Sequence, residues 1–294
     1  MKILVLGSTG MLGSNLLFEL SKESKFKIIA TYKDINKVRF LKKKVPDYKQ
    51  IKFIKLDINK LNERVLKKFL NEIDVVINCI GLIKQKIKNK EDKKKAFFIN
   101  STFPKKLNKC KNKKLKIFQI ATDCVFSGKK GNYNESDVHD CNDIYGLSKS
   151  YGEVNDVNFF NIRCSIIGKE INSNKSLYNW FMKRPKNSKV RGFSNHLWNG
   201  VSTKVFSIIL INIIKQKIKI PNIFHLVPKN KISKYNLLKF LKNLNQKKIR
   251  LFKHKHQIKI NRTLSTKYKK LNSRLWNISF KKQLTIESML KYYI

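Results

Sequence analysis

The chain opens with Ile3-Leu4-Val5-Leu6, which runs straight into Gly7-Ser8-Thr9-Gly10-Met11-Leu12-Gly13. A short apolar strand, a glycine turn and a helix in immediate succession begin a parallel βαβ unit. Glycines at this spacing let the chain turn tightly, let backbone N–H groups approach a ligand and let helix pack closely on strand. The helix N-terminus adds unsatisfied donors and partial positive charge, which suit the pyrophosphate of a dinucleotide. The backbone around Gly7, Thr9, Gly10, Met11, Leu12 and Gly13 is therefore expected to hold a dinucleotide. The competing reading is a structural β–α turn.

The next 160 residues repeat the pattern. Apolar runs at 2–6, 27–31, 51–56, 75–79, 117–121 and 159–163 read as strands. Between them, 11–21, 61–69, 93–108 and 144–154 read as helices. Strands alternating with crossover helices imply a parallel sheet covered on both faces, and the right-handed crossover rule makes it Rossmann-like. The expected fold is α/β, a doubly wound parallel sheet over residues 1–168 with a smaller substrate lobe in 169–294. In that lobe the pattern loosens into helices (177–182, 204–215, 235–243), strand-like pieces such as 223–227, and polar loops. The lobe is expected to be discontinuous, sharing the last strands of the sheet. The N-terminal apolar run ends in the glycine turn, unlike a signal peptide. No stretch reaches the ~18 apolar residues of a transmembrane helix, so a soluble, cytoplasmic protein without a membrane partner is expected.

Charge is the compositional outlier, with 65 Lys and Arg against 19 Asp and Glu for a formal +46. Only eight of the basic residues are Arg, and the lysines are spread along the chain. A phosphate-reading surface would favour Arg for its bidentate fork and would concentrate it. No specific nucleic-acid partner is expected, although the charge should attract anionic substrates. The five cysteines, Cys79, Cys110, Cys124, Cys141 and Cys164, contain no CxxC pair. They argue for a reducing compartment and against a disulfide framework or zinc site. No metal is expected.

Two features suggest carbonyl chemistry. Tyr145-Gly146-Leu147-Ser148-Lys149 puts a phenol and an ammonium four residues apart, on one helix face. A lysine in that position is expected to stabilise phenolate and lower the tyrosine pKa. Thr122 follows the strand at 117–121, at the edge where ligands of doubly wound sheets gather. Its hydroxyl can hold a carbonyl oxygen while Tyr145 donates the proton. The end of the second strand reads Ala30-Thr31-Tyr32-Lys33-Asp34. The place of a ribose-binding carboxylate holds Thr31, and Lys33 can pair with a 2′-phosphate, which favours NADPH; Asp34 keeps NADH open. Asp57, with Ile58 beside it, is placed either to meet the adenine or to cap a helix.

These motifs together resemble the dTDP-4-dehydrorhamnose reductase family of extended short-chain dehydrogenases. The resemblance rests on the glycine turn, Val75-Val76-Ile77-Asn78-Cys79-Ile80-Gly81, Ala121-Thr122-Asp123-Cys124-Val125-Phe126-Ser127-Gly128, Gly131-Asn132-Tyr133-Asn134-Glu135, Tyr145 to Lys149 with Gly152-Glu153, and Asn161-Ile162-Arg163-Cys164-Ser165-Ile166-Ile167-Gly168. It covers most of 1–168, loosens to about 240 and fades beyond. It implies a catalytic triad of Thr122, Tyr145 and Lys149, with Tyr145 and Lys149 also meeting the cofactor, and further cofactor contacts at Cys79, Ile80 and Gly81. It implies NAD(P)H-dependent reduction of a 4-keto-6-deoxy sugar on a nucleotide, for deoxysugar or surface polysaccharide synthesis, and a possible homodimer. Related 4,6-dehydratases carry two acids after the threonine, whereas Asp123 is followed here by Cys124. Reduction is therefore preferred over dehydration, with a nucleotide-sugar 4-epimerase holding NAD, or a non-catalytic NADP-binding regulatory subunit, as alternatives.

Substrate contacts are expected from Asp123 and from the second lobe. Arg191 and Arg262 are candidates for the diphosphate, and Trp198 for packing on a ring. Their bland readings are surface ion pairs and a core aromatic. Arg163 reads equally as structural, and all five histidines read as surface residues.

Overall fold

The computed structural model describes residues 1–171 and 174–294. The central sheet has seven strands, all parallel. They are β1 (Lys2–Leu6), β2 (Lys27–Tyr32), β3 (Ile51–Lys55), β4 (Val75–Asn78), β5 (Lys116–Ala121), β6 (Phe159–Arg163) and the strand Ile223–His225. Their spatial order is β3-β2-β1-β4-β5-β6 and then Ile223–His225. The direction of winding reverses between β1 and β4, so their C-terminal ends open a crevice, the usual ligand position of an open α/β sheet.

The strands read as unbroken apolar runs because both sheet faces are covered. Alternate residues serve opposite cores. Ile3, Val5, Val75 and Ile77 enter one, with α1 (Met11–Leu20) and the helix Thr203–Lys215 supplying Leu16, Leu17, Phe206 and Leu210. Leu4, Leu6 and Val76 enter the other, against Leu66 and Leu70 of α3 (Glu63–Leu70) and Phe103 and Leu107 of α5 (Phe103–Cys110). Each such side chain, fully buried, contributes roughly 1.5–3 kcal/mol. The segment from Thr203 to His225 thus returns to the large sheet from beyond position 168.

The expected helix at 93–108 is α4 (Lys90–Phe97) joined to α5 by a π-helical turn at Phe98–Thr102. A short helix that the spacing did not predict, α2 (Ile35–Lys42), follows β2. The helix at the expected 144–154 is shorter, α6 (Ile144–Ser150).

Besides the large sheet, the described residues form three small sheets. Lys189–Phe193 runs parallel to Arg250–His254, and Val201–Ser202 parallel to Ile166–Ile167. His196–Trp198 lies between Ile232–Ser233 and Ile260–Asn261. Helices Lys234–Leu244, Lys269–Phe280 and Ile286–Tyr292 lie in the same part of the chain, the last two anchored by Trp276 and Ile286 in the core. No described helix is long and apolar enough to cross a membrane.

Candidate active site

The glycine turn forms as its sequence requires. Gly7 has φ +74°, a left-handed conformation that disfavours any side chain. A Cβ on Gly13 would lie 2.3 Å from the Gly7 carbonyl oxygen, so only glycine lets α1 start this close to β1. Gly10 is the N-cap of α1 and brings no capping side chain, and the first turn carries no acid. An uncapped helix N-terminus of this kind offers N–H donors and partial positive charge of the sort that favour a phosphate. Thr31, the residue in the place of a ribose carboxylate, is buried and structural: its hydroxyl accepts from the Gly7 N–H at 3.2 Å. Its carbonyl accepts from the Ser8 N–H and hydroxyl at 3.1 and 2.8 Å.

Asp34 caps α2 by accepting from the Asn36 N–H at 2.9 Å. Asp57 caps the turn Ile58–Lys60 in the same way and pairs with exposed Lys33 at 3.3 Å. The hydrogen bond from the Asn59 backbone holds the Asp57 carboxyl below its usual pKa against a smaller desolvation effect, and Lys33 adds to the lowering. Of the two readings of Asp57, capping is the one displayed. Cys79 and Ile80 meet the turn directly, since a Cβ on Gly7 would touch both. Gly81 lies beside the Asn100 side-chain oxygen.

Thr122 sits immediately past β5, buried, with its hydroxyl accepting from the Cys124 N–H at 3.2 Å and donating to Asp123 Oδ1 at 3.2 Å. Tyr145 comes from the first turn of α6, whose N-cap is Asp143, accepting from the Gly146 N–H at 3.0 Å. Burial raises the Tyr145 phenol well above its usual pKa; neighbouring Cys124, Asp123 and Asp143 push the same way, and a hydrogen bond with Thr122 opposes them. Lys149 is buried one turn on, and its ammonium donates to the Ile120 carbonyl at 2.6 Å. Desolvation lowers Lys149 to about 8, opposed by Glu153 and nearby thiols.

This corrects the expectation for the pair. In the protein alone burial dominates the phenol and raises its pKa, while the Lys149 ammonium donates to the Ile120 carbonyl. The phenol therefore keeps its proton through the neutral range, as a proton donor must. The Cys124 thiol, pushed to about 12 chiefly by burial, is no substitute for a second acid.

The small three-stranded sheet brings further residues to this segment. Arg262 follows Ile260–Asn261, and its Nε donates to the Phe126 carbonyl at 2.8 Å. Its other nitrogens lie 3.9 Å from Cys124 Sγ and from Asp143 Oδ2. Trp198 is buried, with Nε1 donating to Ser165 Oγ at 2.8 Å. Asp123 is buried and its carboxyl pKa raised by that burial, with Lys234 and then Arg262 opposing. Arg191 is exposed on Lys189–Phe193, and among the described residues no hydrogen bond or ion pair ties it to this cluster.

Three residues escaped the sequence reading. Asp143, the acid just before an expected helix, carried a capping signal. Asn100, on the π-turn, donates to the Leu82 carbonyl and to Ser148 Oγ at 3.0 Å each and accepts from the Leu82 N–H at 2.9 Å. It ties the loop after β4 to α6. Lys234 had no signal among so many lysines.

The histidine expectation also needs correction. His225 is fully buried and His139 half-buried, both against Arg163, whose NH2 is 2.6 Å from Glu153 Oε2. Arg163 is structural: it ends β6 and locks the segment after α6. Among the described residues no group of three or more His, Cys, Asp or Glu side chains can hold a metal ion.

The family model for the RmlD substrate binding domain matches residues 1–288. The chain belongs to this family. The resemblance to the dTDP-4-dehydrorhamnose reductase family, drawn from the motifs, is thereby borne out. Among solved structures, a dTDP-4-dehydrorhamnose reductase from Clostridium acetobutylicum is 21% identical with TM-score 0.70, covering 100% of this chain and 98% of that one. The dTDP-4-dehydrorhamnose reductase from Bacillus anthracis in complex with NADP is 15% identical with TM-score 0.72, covering 99% and 98%. The UDP-glucuronic acid 4-epimerase from Bacillus cereus, in complex with UDP-glucuronic acid and NAD, is 18% identical with TM-score 0.77, covering 99% and 97%. At these identities the structures establish a shared fold. No curated protein matches the chain closely enough to count as a relative.

Proposed function

We propose that this chain is an NAD(P)H-dependent oxidoreductase that reduces the keto group of a nucleotide-linked 4-keto-6-deoxy sugar, in deoxysugar or surface polysaccharide synthesis. The observation that carries the reading is the meeting of Thr122, Tyr145 and Lys149 at the C-terminal end of β5, beside the crevice that the glycine turn opens. A bound nicotinamide supplies the hydride. Thr122 holds the carbonyl oxygen, Tyr145 donates its proton to that oxygen, and Lys149, charged below about pH 8, steadies the phenolate left behind once its ammonium turns from Ile120. Gly7, Thr9, Gly10, Met11, Leu12 and Gly13 hold the pyrophosphate, and Asp57, Ile58, Cys79, Ile80 and Gly81 line the cofactor on either side.

NADPH is the first choice. Asp34 is spent on capping α2, and exposed Lys33 at the end of β2 can leave its surface pair with Asp57 for a 2′-phosphate. Asp123, Trp198 and Arg262 contact the sugar nucleotide, while Arg191 serves only if substrate reaches the exposed strand. The substrate lobe comprises 169–294 less the segment that returns to the large sheet. We place the enzyme in the cytoplasm, with a homodimer as its working form.

The likeness to a 4-epimerase, at the higher TM-score of 0.77, supports a second reading with the same triad and a retained NAD. The two separate on purification: an epimerase carries cofactor through the column, whereas a reductase binds it reversibly and consumes it in proportion to product. A regulatory subunit without chemistry would not need Tyr145, and Tyr145→Phe would leave its function untouched.

A further inference from the structure

The pairing of Ile223–His225 with β6 sets His225 opposite Arg163. The His225 side chain is fully buried, and its Nε2 lies 3.1 Å from Arg163 NH1. A guanidinium has only donors, so this imidazole nitrogen must accept. The other ring nitrogen, Nδ1, therefore carries the proton and donates to the Ser265 carbonyl at 2.8 Å and to the Tyr133 carbonyl at 3.2 Å. The neutral ring is thus a bridge between the large sheet and the strip of chain that follows Arg262.

The contacts on its two sides decide which side yields when the ring takes a second proton. Arg163 is pinned: its Nε and NH2 donate to Glu153 at 2.8 and 2.6 Å, and NH2 donates to His139 Nε2 at 2.6 Å. A proton on His225 Nε2 sets N–H against N–H in a buried place and takes an acceptor from Arg163. On the far side, the bond to Ser265 becomes charge-assisted and stronger. The ring therefore parts from Arg163 and moves with the strip. Phe126 lies between these groups, edge-on to His225 with centroids 6.1 Å apart and 5.6 Å from the Arg163 guanidinium, and its carbonyl is the one that holds Arg262 Nε.

The charged and titratable groups around the ring are Arg163 on β6, Glu153 and His139 beyond the guanidinium, and Glu135 and Asp137 on the loop before α6. Glu135 accepts from the His225 N–H at 2.9 Å, from the Thr266 hydroxyl at 2.5 Å and from the Lys267 N–H at 2.8 Å, so it fastens the same strip. Burial lowers the His225 pKa from the usual 6.5, with Glu135 opposing and Arg163 adding to the lowering. The ring is neutral at pH 7.

We infer that His225 is an acid-sensitive latch, which fastens the Arg262 strip to the core while neutral and releases it when protonated. On the proposed role of Arg262 as a substrate contact, release weakens sugar-nucleotide binding. The glycine turn shares none of these bonds, and cofactor binding stays as it was.

Hydrogen exchange of the whole protein without substrate, from about pH 7.5 down to about pH 5, reads the latch directly. Tyr133 N–H donates to the Thr263 carbonyl and Ser265 N–H to the Tyr133 carbonyl, so these two amides report on the strip. After correction for intrinsic exchange, their protection should fall by about tenfold or more, with a midpoint below 6.5 that matches the His225 titration followed by imidazole nitrogen NMR. The Cys79 amide, bonded to the Leu6 carbonyl, should keep its protection. His225→Gln keeps an acceptor for Arg163 and a donor for Ser265 but takes no proton, and should stay protected in acid; His139→Gln should respond as wild type does. An unchanged strip in wild type overturns the inference. So does a loss that persists in His225→Gln, which would assign the effect to Glu135. Should His225→Gln not fold, wild type decides alone: coincident midpoints support the latch and separate ones overturn it. In turnover, KM for the sugar should rise in acid with NADPH affinity unchanged. A strip that opens in a protein reducing no sugar refutes the reductase reading and leaves the latch standing.

Discussion

The Lys149 ammonium donates a 2.6 Å hydrogen bond to the carbonyl of Ile120, two residues before Thr122. This bond fastens α6 to the end of β5 and sets the separation of the phenol and the threonine hydroxyl. It also keeps a cation in a place that water does not reach, and the consequence is a lysine at about 8.

A depressed lysine pKa is a stability statement. Between about pH 8 and the usual 10.5 the unfolded chain binds the proton and the folded chain does not, so stability rises with pH across that window. Below pH 8 the folded state bears the full penalty, roughly 3 kcal/mol before the Ile120 bond offsets part of it. Lys149→Met should therefore melt higher than wild type at pH 7, by a few degrees, and the gap should close toward pH 10. Calorimetry across pH checks this, and a variant that melts lower at pH 7 contradicts it.

The same group sets an alkaline limb. Tyr145 keeps its proton throughout the neutral range, so the first loss of activity on raising pH should come from Lys149, with kcat/KM falling above about pH 8. Glu153 is the largest influence opposing that depression, and Glu153→Gln should move the limb to lower pH. A pH–rate profile that stays flat to pH 10 would remove Lys149 from the chemistry.

Glu153 has a second duty. It neutralises Arg163, buried between His139 and His225. Breaking a buried pair leaves an uncompensated charge, at a cost of roughly 3–5 kcal/mol. Urea unfolding of Glu153→Gln should show that loss, while Glu72→Gln, whose exposed pair with Lys2 lies on the surface, should stay near wild type.

Gly13→Ala asks whether the cradle is a cradle. Its Cβ would lie 2.3 Å from the Gly7 carbonyl oxygen, and the turn must open to admit it. NADPH affinity, followed by fluorescence titration, should fall at least about tenfold, the equivalent of 1.4 kcal/mol. Unchanged affinity would mean that the turn serves only packing.

The large sheet was legible because its physics is local. Ile3 to Leu6 and Val75 to Ile77 are buried on both faces, and such strands announce themselves as apolar runs followed by glycine or polar turns. Thr122, Tyr145 and Lys149 were legible because spacing and strand ends place them. The remainder depends on long-range pairing. Arg262 reaches the site only because Asn261 N–H bonds the Gly128 carbonyl at 2.7 Å across more than a hundred residues. Lys234 depends on a two-residue strand. The helix Lys269–Phe280 was missed because no side chain caps it and its anchor, Trp276, gains meaning only from the Val227 carbonyl that its Nε1 meets at 2.8 Å. His225 looked like a surface residue until its own strand, the seventh of the sheet, paired with β6.

The most direct test of the central claim is NADPH oxidation at the nicotinamide absorbance band, with a panel of nucleotide-linked 4-keto-6-deoxy sugars, by wild type and Tyr145→Phe side by side. Wild type should turn over at least one sugar, and the variant should be slower by roughly 100- to 10,000-fold with NADPH affinity intact. Equal turnover by the variant, or NADPH binding by wild type with no sugar reduced, would contradict the account.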